Sequence, residues 1–346
     1  MHEVLVKKIL VVQTAFIGDV ILITPLLRAI RALYSQAIID VMVVPGAARL
    51  LANNPHINDV MSYIKKGSNA TSIFKQTKLL REKHYDLAIS PHSSGRTHLI
   101  LYLAGIPMRI GFDRGPAPFL LTDKIKHPQN MHKINKNLAL LKLISNKSFP
   151  MQTELFPSTN EIDTANELLL GFDRKSLIAV APGSIWATKC WPQQYYSDLI
   201  KALSQRGFTI VLIGGDSDKG KCDSIEQEVK QDYKQAQILN LAGKTDLLES
   251  ASVIAMCRLM ICNDSGALHI ANAMKVKVFA FFGPTVTSIG YYPYRKGDRV
   301  FEVDLDCRPC GSHGGNKCPL KHHNCMQQIS VESVLDAIVQ DFTKVD

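Results

Sequence analysis

The sequence predicts an α/β fold built from two doubly wound domains, and three observations carry that reading. Short apolar runs of strand length alternate with stretches of helical periodicity. The alternation fades once, in "SNKSFPMQTELFPSTN" (145–160), where polar residues and prolines collect, and then it restarts. Several apolar runs end in small or polar turns that open into a helix pattern, where sheets of parallel strands carry their ligands.

In the first half, strands are expected at 9–13, 38–43, 87–90 and 109–111, with helices at 20–34 and 73–83. The segment "ILVVQTAFIGDVILITPLLRAI" (9–30) is among the most apolar of the chain, yet Gly18-Asp19 interrupts it between strand and helix. In the second half, strands are expected at 177–181, 209–213, 259–262 and 276–282. Helices fit 193–205, 221–230 and 266–274, and a last one fits 331–343. The expected organisation is a first domain over 1–150, a second over 151–330 and a terminal helix over 331–346 that closes the fold, with a cleft between the domains.

The chain has 346 residues, 46% hydrophobic and 21% charged, a soluble globular composition. Lys7-Lys8 before an apolar run imitates a secretion signal. Asp19 breaks that run and no small-residue cleavage site follows, so the segment reads as structure. No run of about 18 apolar residues suggests a membrane span, and a cytoplasmic address is expected. Of the net charge of +9, the first 150 residues hold 20 Lys/Arg against 8 Asp/Glu, so the basic excess lies entirely in the first half. That asymmetry suggests an anionic partner: nucleic acid, a membrane surface or a phosphorylated substrate. A merely solubilising basic face is the plain alternative. Aromatic residues are not interleaved with the basic ones as base stacking requires, which argues against nucleic acid.

Two turns of the second half carry chemistry. "APGSIWATKCWP" (181–192) combines small residues, Ser184, Lys189 and both tryptophans; "ICNDSGALHIANAMK" (261–275) opens a helix at Asp264-Ser265-Gly266. The free N–H groups of a helix start favour a phosphate, and Lys189 adds a mobile cation, so together the turns suit a diphosphate. Taken singly, Asp264 or Ser265 is an ordinary cap and His269 a core histidine. "GDSDKGKC" (215–222) nearly matches a P-loop, but Cys222 replaces the hydroxyl that binds Mg²⁺. A strand-end turn with Asp216 or Asp218 near a ribose is the preferred reading.

Of eight cysteines, Cys190, Cys222, Cys257 and Cys262 are scattered and read as buried free thiols. Cys307, Cys310, Cys318 and Cys325 are bunched, with His313, His322 and His323 among them. The spacing C-x2-C-x7-C-x6-C suits a small structural zinc loop, with free thiols as the alternative; four thiolates would leave no open catalytic position.

"FIGDVILITPLLRAI", "APGSIWATKCWP", "NDSGALHIANAMKVKVFAFFGPT" and the late "CRPC…CP…HHNCM" together resemble the ADP-heptose:lipopolysaccharide heptosyltransferases, especially the heptosyltransferase II type. The similarity spans nearly the whole chain, with the motifs in the expected order. It implies a GT-B fold of two Rossmann-like domains facing across a cleft, the acceptor bound by the first and the nucleotide-sugar donor by the second. It also implies inverting transfer without a catalytic metal, from ADP-heptose to an anionic lipid A-core acceptor, by an enzyme in peripheral contact with the inner face of the inner membrane. Asp19 then matches the catalytic base, and Ser184 and Lys189 the diphosphate contacts. Asp264, Ser265, Gly266 and His269 match the donor-binding turn, with Ser265 where some relatives have threonine. Arg96 and Arg109 are candidates for the acceptor. Other readings are a different nucleotide-sugar enzyme such as an epimerase, a P-loop NTPase, or a zinc-containing nucleic-acid-binding protein.

Overall fold

The computed structural model describes residues 6–64 and 70–343. It divides into two compact units, Met1–Phe156 and Pro157–Asp346. The first unit contains β1 (Lys8–Gln13), β2 (Ile38–Val43), β3 (Asp59–Ser62), β4 (Leu87–Ser90), β5 (Met108–Phe112) and β6 (Asp123–Ile125). All pair in parallel, in the order β3-β2-β1-β4-β5-β6. The central strands are Ile/Val/Leu runs because helices cover both faces of such a sheet. On one face Leu10, Val12 and Met42 pack with Leu80, Ile100 and Leu101 of the helices Ala70–Lys83 and Gly95–Leu103. The helices Thr24–Leu33 and Lys133–Ala139 pack together, and the rule that a parallel sheet carries helices on both faces assigns them to the other.

The single helix expected over 20–34 is two helices, Ile17–Ile21 and Thr24–Leu33. Pro25 is the cause: it sits in the first turn of the second helix, where its missing N–H is harmless, and disfavours a continuous helix through the residues before it. Thr24 marks the joint by donating its hydroxyl to the Ile21 carbonyl at 2.9 Å.

Residues 150–156, which the prolines assign to a linker, belong to the first unit. Arg28 holds them, with Nη1 2.6 Å from Glu154 Oε2 and Nη2 donating to the carbonyls of Pro150 and Gln152 at 3.1 and 2.9 Å. Asn53 Nδ2 adds a bond to the Phe156 carbonyl at 3.0 Å.

The second unit repeats the plan with β7 (Leu177–Ala181), β8 (Thr209–Leu212), β9 (Ile238–Asn240), β10 (Leu259–Asn263), β11 (Lys277–Phe282) and β12 (Arg299–Glu302). These strands are parallel too, in the order β12-β11-β10-β7-β8-β9. Trp191 is fully buried, stacked on Phe281 at 4.3 Å between centroids, with Tyr196 edge-on at 5.1 Å. Val334, Ala337 and Ile338 of the last helix, Val331–Thr343, lie in this same core, so that helix is part of the second unit.

Both sheets follow one connectivity. Counted within its own unit, each runs 3-2-1-4-5-6, and the direction of winding reverses between its first and fourth strands. The reversal leaves a crevice outside the carboxyl ends of those strands, where such sheets bind ligands. In the first unit that place lies beyond β1 and β4, in the second beyond β7 and β10. No described helix is long and apolar enough to cross a membrane.

Candidate active site

Beyond β1, residues 14–16 lead into the five-residue helix Ile17–Ile21. Asp19 is its third residue, 9% exposed. The N-cap position is held by Phe16, whose side chain makes no capping bond, so Asp19 is a first-turn residue and not the cap. Glycine at 18 keeps the adjoining surface small.

The two arginines suggested for an acceptor differ. Arg96 is exposed in the first turn of the helix Gly95–Leu103. Arg109 has a structural role. It donates to the carbonyls of Leu120 at 2.8 Å and of Ile106, and lies over the Tyr102 ring at 5.5 Å.

Sequence reading missed a group of basic residues in this unit. Lys133 and Lys136 stand one turn apart on the helix Lys133–Ala139; Lys136 is 6% exposed and Lys133 half-buried. Burial holds both below the ordinary lysine range. Asp19 is close enough to oppose that effect on Lys133, and Arg114 close enough to reinforce it on both. His127, packed edge-on against Phe112 at 4.8 Å, is pushed down to about 4 by burial, then by Lys133, Arg114 and Lys136.

In the second unit the fold joins the two expected turns. Lys189 Nζ lies 2.6 Å from Asp264 Oδ2, with the side chains 12% and 7% exposed. The same oxygen accepts the hydroxyl of Thr285 at 2.7 Å. An ammonium has three donors, so Lys189 keeps donors for a ligand while Asp264 fixes its position. Asn263, fully buried, ties the turns together. Its Oδ1 accepts from the Trp191 N–H at 2.9 Å and the Tyr196 hydroxyl at 3.0 Å, and its Nδ2 donates to the carbonyls of Pro182 and Gly183 at 3.0 and 3.2 Å. Asn263 and Thr285 lie within the quoted motifs but carry no chemical signature of their own there, which is why the sequence did not single them out.

Ser265 is the N-cap residue of the helix Gly266–Ala273, with no side-chain capping bond, so the N–H groups of its first turn face the turn region. Gly266 begins the helix, and His269 is 5% exposed, its ring 6.2 Å from that of Tyr291. Ser184 is half-buried on the loop after β7.

The P-loop reading fails on geometry. Cys222 is wholly buried in the core, its thiol pushed up to about 12 by burial, and cannot serve a metal-bound phosphate. Lys221 turns back to the carbonyl of Pro182 at 3.4 Å. Asp218 packs against Gly183 and Gly214 and accepts the Gly215 N–H at 3.1 Å, while Asp216 is exposed.

The cysteine loop rests on the Lys189 turn and on the loop that follows β11. Thr188, beside Lys189, donates its hydroxyl to the Gly315 carbonyl at 2.8 Å and accepts the Gly315 N–H at 2.8 Å; its own N–H reaches the same carbonyl at 2.9 Å. His323 Nε2 bonds the Thr188 carbonyl at 2.7 Å, and the Cys310 N–H bonds the Pro284 carbonyl at 2.9 Å. Gly314 (φ +78°) fits against Thr188 and Lys189 where a side chain would be strained. A cavity of about 80 Å³ is lined in part by Cys310, Cys318, Cys325 and His323. The backbone N–H of His323, joined by those of Leu320, Lys321 and His322, holds the Cys318 thiol below its usual range. Among the described residues no group of three or more His, Cys, Asp or Glu is arranged to hold a metal ion.

Two parallel six-stranded units, each with a crevice where its winding reverses, are the architecture of the GT-B glycosyltransferases. Residues 73–321 match the family described as glycosyltransferase family 9 (heptosyltransferase), and the chain belongs to that family. It is 30% identical over 321 residues to lipopolysaccharide heptosyltransferase 2 of Escherichia coli K12, covering 84% of this chain and 91% of that protein. The solved structure of E. coli ADP-heptose lps heptosyltransferase II superposes with a TM-score of 0.78 at 27% identity, covering 96% of this chain and 98% of that one. An E. coli heptosyltransferase solved with ADP-2-deoxy-2-fluoro heptose has the same fold, with a TM-score of 0.70 at 18% identity over 96% of this chain and 99% of that one.

Proposed function

We propose that this heptosyltransferase moves a heptose from ADP-heptose to the inner core of lipopolysaccharide, with inversion and without a catalytic metal. The observation that carries the donor half is the Lys189–Asp264–Thr285 network beside the start of the helix Gly266–Ala273. Fixed N–H groups and a held cation stabilise the charge that develops on the departing ADP. Lys189 and Ser184 are assigned to the diphosphate, and Asp264, Ser265, Gly266 and His269 to the turn that holds the donor.

In the reaction the acceptor hydroxyl oxygen bonds to the anomeric carbon. The bond from that carbon to the β-phosphate oxygen breaks, and ADP takes the electron pair. Asp19 accepts the hydroxyl proton, as the carboxylate of an inverting hydrolase does from water. Proton transfer late in an oxocarbenium-like transition state suits an ordinary carboxylate, because the attacking hydroxyl is acidic by then.

The acceptor is assigned to the first unit, whose excess of basic residues suits an anionic saccharide–lipid at the inner face of the inner membrane. A structural zinc on the cysteine loop belongs to the same proposal. The cysteine spacing and the N–H groups around Cys318 support it, and the metal would have to draw the four thiols together on binding.

Thermal unfolding with ADP tests the donor half. At a hundredfold excess over Kd, ADP should add about 2.7 kcal/mol of stability, equally with Mg²⁺ and with a chelator of it. Protection that requires Mg²⁺ would overturn the metal-free reading.

A further inference from the structure

Strand geometry places a buried, unpartnered amide, Gln13, at the carboxyl end of β1 on the face opposite the helices Ala70–Lys83 and Gly95–Leu103. Leu10 and Val12 face the helices Ala70–Lys83 and Gly95–Leu103, so Gln13 faces the opposite side of the sheet, the side of the helix Lys133–Ala139. Register carries the argument across. Val11 pairs with Ile89 and Ile89 with Ile110; two residues further on, Gln13 and Phe112 share that face at the carboxyl ends of β1 and β5. Phe112 bears the His127 ring.

The helix Lys133–Ala139 is fixed over this face by Asn137, whose Nδ2 donates to the Leu22 carbonyl at 3.0 Å. Leu22 follows the short helix that carries Asp19. Arg114 is attached to the same end of the sheet, its N–H bonding the Phe112 carbonyl at 2.8 Å.

Gln13 is 1% exposed, yet both its amide atoms lack a hydrogen-bond partner, as do Asn137 Oδ1 and His127 Nδ1. Orphaned buried amides cost about 1–3 kcal/mol each and call for an explanation. Lys133 and Lys136 also repel each other where burial desolvates both, and the exposed Arg114 adds to the repulsion. An anion with several acceptor oxygens would accept the Gln13 Nε2–H and relieve the repulsion, whereas Gln13 Oε1 and Asn137 Oδ1 are acceptors and call for N–H or O–H donors.

We propose that Gln13, Lys133, Lys136 and Arg114 form a subsite for a phosphate monoester carried by the acceptor saccharide, next to Asp19. A phosphate monoester brings nearly two negative charges and three terminal oxygens. That matches two ammonium groups, a guanidinium and an amide N–H better than the two oxygens of a lone carboxylate. The assignment rests on the acceptor-binding role proposed for the first unit. It gives that unit a second role, in which the anion anchors the acceptor while Asp19 addresses its hydroxyl.

The test uses the full chain saturated with ADP, so that the donor site is filled, with inorganic phosphate added at constant ionic strength. Phosphate should raise the melting temperature of the parent protein. Lys133→Met should weaken phosphate roughly tenfold to a hundredfold, and the exposed Arg114→Gln should weaken it without endangering the fold. Equal phosphate protection in all three proteins would overturn the subsite. A second arm compares inner-core acceptors with and without a phosphate monoester. The phosphorylated acceptor should have the lower KM, and Lys133→Met should abolish the difference. Phosphate protection through Lys133 without any such preference would overturn the acceptor assignment and leave a free-phosphate site. Phosphate protection with no transfer to either acceptor would instead sink the proposed function while upholding the subsite.

Discussion

Lys189 and Asp264 form an ion pair in a setting where such pairs contribute little to folding. Both side chains are nearly buried, and desolvation offsets most of the attraction. Removing one partner leaves the other charge uncompensated, at about 3–5 kcal/mol, whereas removing both charges is close to neutral. This separates stability from ligand binding. Lys189→Ala should weaken ADP by roughly tenfold to a hundredfold and also lower the melting temperature. Lys189→Met combined with Asp264→Asn should recover most of the melting temperature but none of the affinity. Calorimetry with ADP and a thermal scan of each protein decide it; unchanged ADP affinity in Lys189→Ala would remove that residue from the donor site. Lys189 and Asp264 were legible in the sequence because each sits in a small-residue turn after an apolar run. Gln13, Lys133 and Arg114 were not, since 120 residues separate the first two and only the register of the sheet brings their faces together.

At the scale of elements, the sequence revealed what is buried and concealed what is not. The inner strands β1, β2, β4, β7, β8, β10 and β11 are apolar runs and were read within a residue or two. β5 was read too, one residue short at each end. The edge strands β3 (DVMS), β6 (DKI) and β12 (RVFE), with β9 (ILN), are three or four residues long and mostly polar or half-exposed, so no periodicity marks them. The helix Lys133–Ala139 escaped notice for the same reason, being short and half polar. The cysteine loop is tied to the Lys189 turn. Its grip on Thr188 and Pro284 makes it a support for the Lys189 turn. Protein purified without added metal should contain about one zinc per chain, and stripping it should weaken ADP binding as the turn loosens. Less than about a tenth of an equivalent of any transition metal, with four titratable thiols, would contradict the zinc assignment.

For the whole molecule, one connectivity is used twice, and the proposed function assigns one half of the transfer to each unit. In each unit the winding reverses between its first and fourth strands, and the candidate residues follow from that: Asp19 beyond β1, and Lys189 and Asp264 beyond β7 and β10. Asp19 is not the N-cap but stands in the first turn, where the helix dipole favours a carboxylate, although its helix has only five residues. The proposed role as base for the acceptor hydroxyl gives the carboxylate a second reason to be there. The most direct measurement is turnover of Asp19→Asn with ADP-heptose and an inner-core acceptor, followed by mass spectrometry of the product. The substitution keeps the shape and removes the proton acceptor. The account predicts addition of one heptose by the parent protein, and a kcat about 10²–10⁴-fold lower in the variant with ADP affinity and melting temperature nearly unchanged. Near-normal turnover in Asp19→Asn would contradict it.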